Sequence, residues 1–384
     1  MKIYLDYAAT TPVDPDVFRA MKPYFAEQWG NAGSLHYFGQ KAMKALDESR
    51  EKIAGSIGAD FREIIFTGSA TEANNLALRG VVGAARKNFA APYRIVISKI
   101  EHESVLKTAQ DLEREGVEVV YLPVDKSGLV NLKKLKESLN ERTILISIMY
   151  ANNELGTIQP IKEIAKIIKD YRGSNSYPLF HSDAVQAFQF LSCDVNELGV
   201  DLMTLSAHKI YGPKGIGALY VRDKNNLSPI IFGGGQEYGL RSGTENIPSI
   251  VGFAKAVGLA IKNREKEGKK ISALRDYFWN GLKKANSKIK LNGSAKNRLP
   301  NILNIYFPNK SAEDLLVKLD LNGVAVSAGS ACSARSLEPS YVLRACGLPL
   351  NIIKSSLRIS LGKFTTKSEI NKVIGVFKKL VANC

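Results

Sequence analysis

Cysteine is scarce in this sequence, with four in 384 residues, too few for a disulfide-stapled scaffold. Cys193, Cys332, Cys346 and Cys384 are widely spaced, and no Cys-x-x-Cys pair exists. A zinc ribbon and a thioredoxin-like motif are therefore excluded, and at most one or two thiols are expected to carry chemistry. No apolar run approaches the roughly eighteen residues that span a bilayer. The opening Met1-Lys2-Ile3-Tyr4-Leu5-Asp6 places an acid where a signal peptide keeps its apolar stretch. The expectation is a soluble, cytoplasmic protein with no membrane association. Internal repeats and low-complexity segments are lacking as well.

Negative charge is also in deficit: 53 Lys and Arg face 37 Asp and Glu, for a net charge of +16 and a pI near 9.5. The basic residues are spread along the chain, and the densest run, Lys262 to Lys270, is laced with Glu265 and Glu267. This reads as a solvated basic surface, with an acidic partner as the other reading. Direct nucleic-acid binding is not expected.

Hydrophobic residues make up 45% of the chain, enough for buried sheets. Short β-rich runs alternate with helical patterns: 64–67, 94–98, 117–122, 143–149, 178–182, 201–205 and 216–221. Between the second and third runs, Val105, Leu106, Ala109 and Leu112 share a helical face that Gly116 ends. Such alternation predicts an α/β protein with a mostly parallel sheet covered by helices on both faces. From about Pro248 a long charged helix leads into strands near 301–306 and 357–360, the texture of a smaller α+β domain. The last helix opens on Thr366-Lys367-Ser368-Glu369, a capping box, and buries Ile370, Val373, Ile374, Phe377, Leu380 and Val381.

Chemistry concentrates at strand ends. Gly68-Ser69-Ala70-Thr71-Glu72 joins a strand to a helix, and a helix N-terminus with unpaired N–H groups suits a phosphate. The Walker lysine is absent, and Ser69 with Glu72 predicts a second capping box. Lys209 follows a strand in Ser206-Ala207-His208-Lys209, ahead of a glycine-rich turn. A lysine there can form a Schiff base with a carbonyl cofactor, and Ser206 and His208 can bind phosphate. Asp183, 26 residues earlier, can pair with a protonated pyridine nitrogen, and Gln186 can bond a ring hydroxyl. His102 can stack on a planar ring. Three of the four histidines, His102, His181 and His208, are expected at strand ends of one sheet, His181 with no assigned role. They point to a site at the carboxyl edge. Asn153 follows another strand and can add a donor. Arg358, in an apolar strand, wants a carboxylate, either a ligand's or an internal Asp or Glu.

Cys332 sits among small residues, Ser327-Ala328-Gly329-Ser330-Ala331-Cys332-Ser333-Ala334-Arg335, which predicts a mobile loop rather than a packed core. A free thiol is only about 3% ionised at pH 7, and full ionisation needs a shift of ~1.5 units, about 2 kcal/mol. Arg335 or a protonated histidine can supply it.

In order and spacing these motifs resemble the cysteine desulfurases of the NifS/IscS group, within the class V aminotransferase family. The likeness runs from Tyr4-Leu5-Asp6-Tyr7-Ala8-Ala9-Thr10-Thr11 to Ser360-Leu361-Gly362. It implies the pyridoxal-phosphate-dependent transferase fold of the aspartate aminotransferase type. A large cofactor-binding domain with a seven-stranded sheet would span 15–255. A small domain of 1–14 and 256–384 would carry the cysteine loop. The resemblance places pyridoxal 5'-phosphate on Lys209 and its phosphate on Ala70, Thr71, Ser206 and His208, with Thr244 reaching over from the second copy of a homodimer. It places His102 over the ring, Asp183 at the ring nitrogen, and Gln186 and Asn153 at the ring oxygen and substrate. Arg358 would take the substrate carboxylate, Lys209 would move a proton, and Cys332 would receive the sulfur of L-cysteine as a persulfide, releasing L-alanine. The persulfide would pass to an acceptor such as an iron–sulfur scaffold or a tRNA-thiolation protein. A selenocysteine lyase or another class V pyridoxal-phosphate enzyme is the alternative. The chain departs from the family at Gly30-Asn31-Ala32-Gly33, where proline commonly follows the Gly-Asn pair, and it ends at Cys384 without the longer tail of some members.

Overall fold

A computed structural model describes residues 2–88, 91–329 and 339–381. Its strands, in chain order, are β1 (Ile3–Tyr4), β2 (Ile64–Thr67), β3 (Arg94–Ser98), β4 (Glu118–Leu122), β5 (Thr143–Ser147) and β6 (Leu179–Asp183), then β7 (Leu202–Ser206), β8 (Gly217–Val221), β9 (Lys290–Asn292), β10 (Ile302–Tyr306), β11 (Val324–Ala325) and β12 (Ser356–Ser360). Seven form one sheet in the order β2-β8-β7-β6-β5-β3-β4. Only β8 runs against its two neighbours. β2, β5, β6, β7 and β8 are buried at every position. Helices cover both faces, so these strands read as continuous apolar runs rather than alternating ones. The seven runs read from sequence are these strands: two coincide with them and five differ by one or two residues at an end.

A second sheet, β12-β10-β9, is antiparallel, and the pair β1-β11 is parallel. Asp6 bridges to Ser360, so the N-terminal residues lie against the C-terminal sheet. The Ile247–Ala285 helix is unbroken over 39 residues. Its first half buries Ile250, Phe253 and Val257 in the core under the large sheet. Its second half buries Ile271, Phe278 and Leu282 in the core of the small one. The domain boundary expected at 255/256 falls inside this helix. The final helix makes its capping box: Thr366 N donates to Glu369 Oε2 at 2.8 Å and Glu369 N to Thr366 Oγ1 at 3.2 Å.

The glycine-rich segment after Phe232 is tied down by a buried ion pair. Arg50 donates to both oxygens of Glu237 at 2.7 and 2.8 Å and to the Ile64 carbonyl. Glu237 also accepts from Phe66 N. The two side chains are 5% and 2% exposed. Breaking one member of such a pair costs about 3–5 kcal/mol, because the other is left as a bare buried charge, whereas an apolar replacement of both can be close to neutral. Arg50→Met is therefore expected to lower unfolding stability by about that amount in urea titration, and Arg50→Met with Glu237→Leu to recover most of it. A double variant no better than the single one would contradict this account.

Candidate active site

The carboxyl ends of β2, β6 and β7 open onto a cavity of about 190 Å³. Ala70, Thr71, His102, Asn153, Asp183, Gln186, His208, Lys209 and Arg358 all line it, as do Ala8, Ala9, Ser69, Ser104, Met149 and Val185. The local chain dictates where Lys209 sits. A short turn over Ala207–Lys209 follows β7, Tyr211 takes a left-handed φ of 65°, and Gly212 N closes the turn on the Ala207 carbonyl at 2.9 Å. A Cβ on Gly212 would lie 2.8 Å from that of Ala207, so the turn needs glycine there. The Lys209 amine donates to the carbonyls of Ala8 and Ala9 at 2.8 and 2.7 Å. Gln186 Nε2 donates to the same Ala8 carbonyl at 3.0 Å.

Opposite the lysine, Ser69, Ala70 and Thr71 begin the Ala70–Asn88 helix. They press against β8 because residue 217 is glycine: a Cβ there would meet Ser69 C at 2.8 Å and Ala70 N at 2.9 Å. The capping box expected at Ser69 is only half made. Glu72 N donates to Ser69 Oγ, but the Glu72 carboxylate accepts from Gly68 N and pairs with Arg241 at 2.8 Å. That pair outcompetes the local bond to Ser69 N.

Asp183 is 5% exposed. Its Oδ1 accepts from Val185 N at 3.0 Å and its Oδ2 from Asn74 Nδ2 at 2.9 Å. Asn74 Nδ2 also donates to Ser104 Oγ at 2.8 Å, and that hydroxyl lies 2.8 Å from His102 Nδ1. Since Ser104 N also donates to His102 Nδ1, at 3.1 Å, this nitrogen is an acceptor and the neutral ring carries its proton on Nε2. Burial pushes the His102 pKa down and Asp183 opposes that, so the ring is neutral at pH 7. Burial and Lys209 lower the His208 pKa to about 3, and its Nδ1 lies 3.1 Å from Thr10 Oγ1.

Arg358 is 1% exposed. Both sequence readings of it meet here: it lines the cavity and it has an internal acid. Nη2 donates to Asp6 at 2.8 Å and Nη1 to the Asn153 carbonyl at 3.0 Å, while Nε has no partner among the described residues. Asn153 Oδ1 is likewise buried and unpartnered among them. These atoms, the lysine amine, the carboxylate and the helix N-terminus form a donor and acceptor set that suits a phosphorylated pyridine carrying an amino acid.

The remaining residues singled out from sequence lie elsewhere. His181 lies inside β6, not at a strand end, wholly buried between Ser147 and Thr204, with burial lowering its pKa to about 4. Ser206 is buried at the end of β7 but does not line the cavity. Thr244 lines a neighbouring cavity with Gly68, Glu237 and Arg241 rather than the Lys209 cavity of its own chain. Cys332, Arg335 and Cys384 lie outside the described residues. Of the other thiols, Cys193 and Cys346 are buried, and burial raises both pKa values to about 12.

The class-V aminotransferase family matches residues 3–373. The cysteine desulfurase IscS of Dictyoglomus turgidum is 48% identical over 380 residues, 99% of this chain and 94% of that one. The chain belongs to the class-V aminotransferase family. Among solved structures, a NifS-like protein aligns with a TM-score of 0.92 at 36% identity, with both chains covered fully. SspA in complex with cysteine aligns with a TM-score of 0.83 at 39% identity over 95% of this chain and 100% of that one. Within the class-V family the chain is a cysteine desulfurase, an enzyme type that depends on pyridoxal phosphate.

Sequence reasoning gave no role to Asn74, Ser104 or Glu101. The first two join Asp183 to His102. Asn74→Ala leaves one carboxylate oxygen and the Ser104 hydroxyl without their shared donor. Turnover is expected to fall about 10–100-fold, the scale of losing an outer hydrogen bond to a functional group. Steady-state kinetics on the cofactor-loaded enzyme checks this, and unchanged kcat would contradict it.

Glu101 is wholly buried, and its carboxyl bridges Ser98 Oγ at 2.5 Å and Met149 N at 2.9 Å. It thus ties the ends of β3 and β5 together beside His102, and burial raises its pKa from 4.5 to about 8. Between those pH values the folded protein keeps a proton that the unfolded chain has lost. The stability Glu101 contributes is therefore full below about 4.5 and lost as pH rises through about 8. Glu101→Gln cannot ionise, so its urea midpoint should gain on the wild type's across that window. Parallel pH profiles would refute the shift.

Proposed function

We propose that this enzyme takes the sulfur of free L-cysteine onto Cys332 and releases L-alanine, with pyridoxal phosphate bound through Lys209. The convergence of Lys209, Asp183, His102 and Arg358 on one cavity carries this reading. When bound, pyridoxal phosphate supplies an electron sink for the substrate's Cα and Cβ. Lys209 would hold its aldehyde carbon and Asp183 its protonated ring nitrogen. His102 would lie on the ring face, with Gln186 and Asn153 at the ring oxygen. Ala70, Thr71 and His208 would hold the phosphate at the helix N-terminus, with Thr244 supplied by the second copy of a homodimer.

Arg358 orients the substrate by its carboxylate through the guanidinium N–H groups that its two internal bonds leave over. The Lys209 amine, aimed by the Ala8 and Ala9 carbonyls, takes the proton from the substrate Cα. The Cys332 thiolate forms the S–S bond as the substrate's Cβ–S bond breaks. Cβ keeps that electron pair, gains a proton and leaves as the methyl group of alanine. Cys332 follows Gly329 by three residues, and three residues of chain span at most about 10 Å. Gly329 packs against Glu154, next to the cavity-lining Asn153. The persulfide sulfur then passes, in the cytoplasm, to an acceptor such as an iron–sulfur scaffold or a tRNA-thiolation protein. L-cysteine as substrate is supported by the cysteine complex of the structural neighbour SspA.

Purified protein should show the absorbance of lysine-bound pyridoxal phosphate, and added L-cysteine should yield alanine. Cys332→Ala should lower alanine formation by about a hundredfold or more while keeping the absorbance band. A colourless protein that makes no alanine would overturn the proposal, and a Cys332→Ala enzyme with full turnover would point to another class-V reaction.

A further inference from the structure

Glu154 is 1% exposed and has no part in the mechanism above. It follows Asn153 in a turn made rigid by Asn152, whose Oδ1 accepts from the amides of both Glu154 and Leu155 at 2.9 Å. Arg358 holds the carbonyl of Asn153 on one side of it, and Asn304 Nδ2 approaches its own carbonyl on the other. The carboxyl therefore stands at a fixed distance from the cavity wall.

Two chain segments meet over that carboxyl. Ser340 Oγ donates to Glu154 Oε2 at 2.6 Å and accepts from Leu343 N at 3.1 Å. Gly329, with a left-handed φ of 80°, packs on the same oxygen: a Cβ there would lie 3.5 Å from Glu154 Oε2 and 3.6 Å from the Ser340 Cβ. The next residue, Tyr341, donates to the Glu101 carbonyl at 2.6 Å. Ahead of Gly329, Ser327 exchanges two backbone hydrogen bonds with Arg358 at 2.7 and 3.1 Å. Gly329 and Ser340 flank Cys332 in sequence on either side. Each contact that anchors them falls on a cavity-lining residue, Arg358, or on the immediate neighbour of one, Asn153 or His102.

We propose that Glu154 is a positioning residue for the thiol step, clasping both ends of the Cys332 segment to the wall that holds the substrate. The proposal rests on Cys332 being the sulfur-accepting nucleophile. It assigns Glu154 to that step alone, since its carboxyl is directed to Ser340 and Gly329 rather than into the cavity. A neutral amide oxygen can accept the Ser340 hydrogen bond as well, so Glu154→Gln should preserve the clasp and Glu154→Ala should abolish it.

The test uses the cofactor-loaded enzyme and two readouts on mixing with L-cysteine. The absorbance change of the bound cofactor follows substrate capture. Persulfide on Cys332, trapped by alkylation and weighed by mass spectrometry in a single turnover, follows the thiol step. Glu154→Ala and Ser340→Ala should slow persulfide formation about ten- to hundredfold, as a small misplacement of a reacting group does. The absorbance change should stay within about twofold and Glu154→Gln within about threefold of wild type. Unchanged persulfide rates in both alanine variants would overturn the proposal, and so would equal losses in both readouts. If Glu154→Ala does not fold, Ser340→Ala carries the test. Cys332→Ser separates the two claims. If it still makes alanine, the nucleophile assignment fails. If it makes none while the alanine variants match wild type, only the clasp fails.

Discussion

A guanidinium buried to 1% exposure cannot be tolerated without compensation, and Arg358 is that charge. Its carboxylate comes from Asp6, 352 residues away in sequence, and its second acceptor is the Asn153 carbonyl. Its own backbone pairs with Ser327. One side chain thereby gathers the N-terminal segment, the turn after β5, β12 and the start of the cysteine segment. Bringing Asp6 to Arg358 also delivers the carbonyls of Ala8 and Ala9 to the Lys209 amine. The lysine is aimed by main-chain atoms of the chain's first residues, which the Arg358 charge and backbone pairing with β11 and β12 hold together.

The opposite wall of the cavity follows a different rule. There the large sheet presents Asp183, and the polarity is spread through Asn74 and Ser104 to His102. Each hydrogen bond in this chain has a defined direction, since the amide group of Asn74 must donate to a carboxylate. That direction makes His102 Nδ1 an acceptor, and burial keeps the imidazole neutral. A neutral ring can lie against an electron-poor pyridinium without adding repulsion, whereas an imidazolium there would add a second positive charge beside Lys209. The acid and the histidine thus form one electrostatic unit, although 81 residues separate them.

What could be read from sequence was what local pattern encodes. All seven large-sheet strands, the Thr366 capping box and the cavity positions of Lys209, Asp183, His102, Asn153 and Gln186 follow from periodicity, turn chemistry and a resemblance covering nearly the whole chain. What was missed depends on partners distant in sequence. Asn74 carries no local mark of its role, because its partners Ser104 and Asp183 lie 30 and 109 residues away. Asp6 carried no sign that it would neutralise Arg358. Glu72 matched a local cap but was claimed by Arg241. His181 was placed at a strand end because strand limits are blurred by a residue or two; the strand runs on to Asp183, one residue further than read, and His181 lies at its centre.

The two described thiols show where a sulfur-accepting cysteine cannot sit. Cys193 and Cys346 pack among apolar neighbours, and burial raises each to about 12, so neither offers thiolate at neutral pH. A sulfur-accepting thiol in either core would be inert. The chemistry therefore needs its cavity and its thiol to obey opposite rules. The cavity keeps Asp183 and Arg358 buried and His102 half-buried, where low polarity strengthens their hydrogen bonds. Cys332, the thiol proposed for that step, has small residues around it in sequence. On either side of it in sequence, Gly329 and Ser340 lie at the Glu154 carboxyl and Ser327 pairs with Arg358, contacts from which its position could be set.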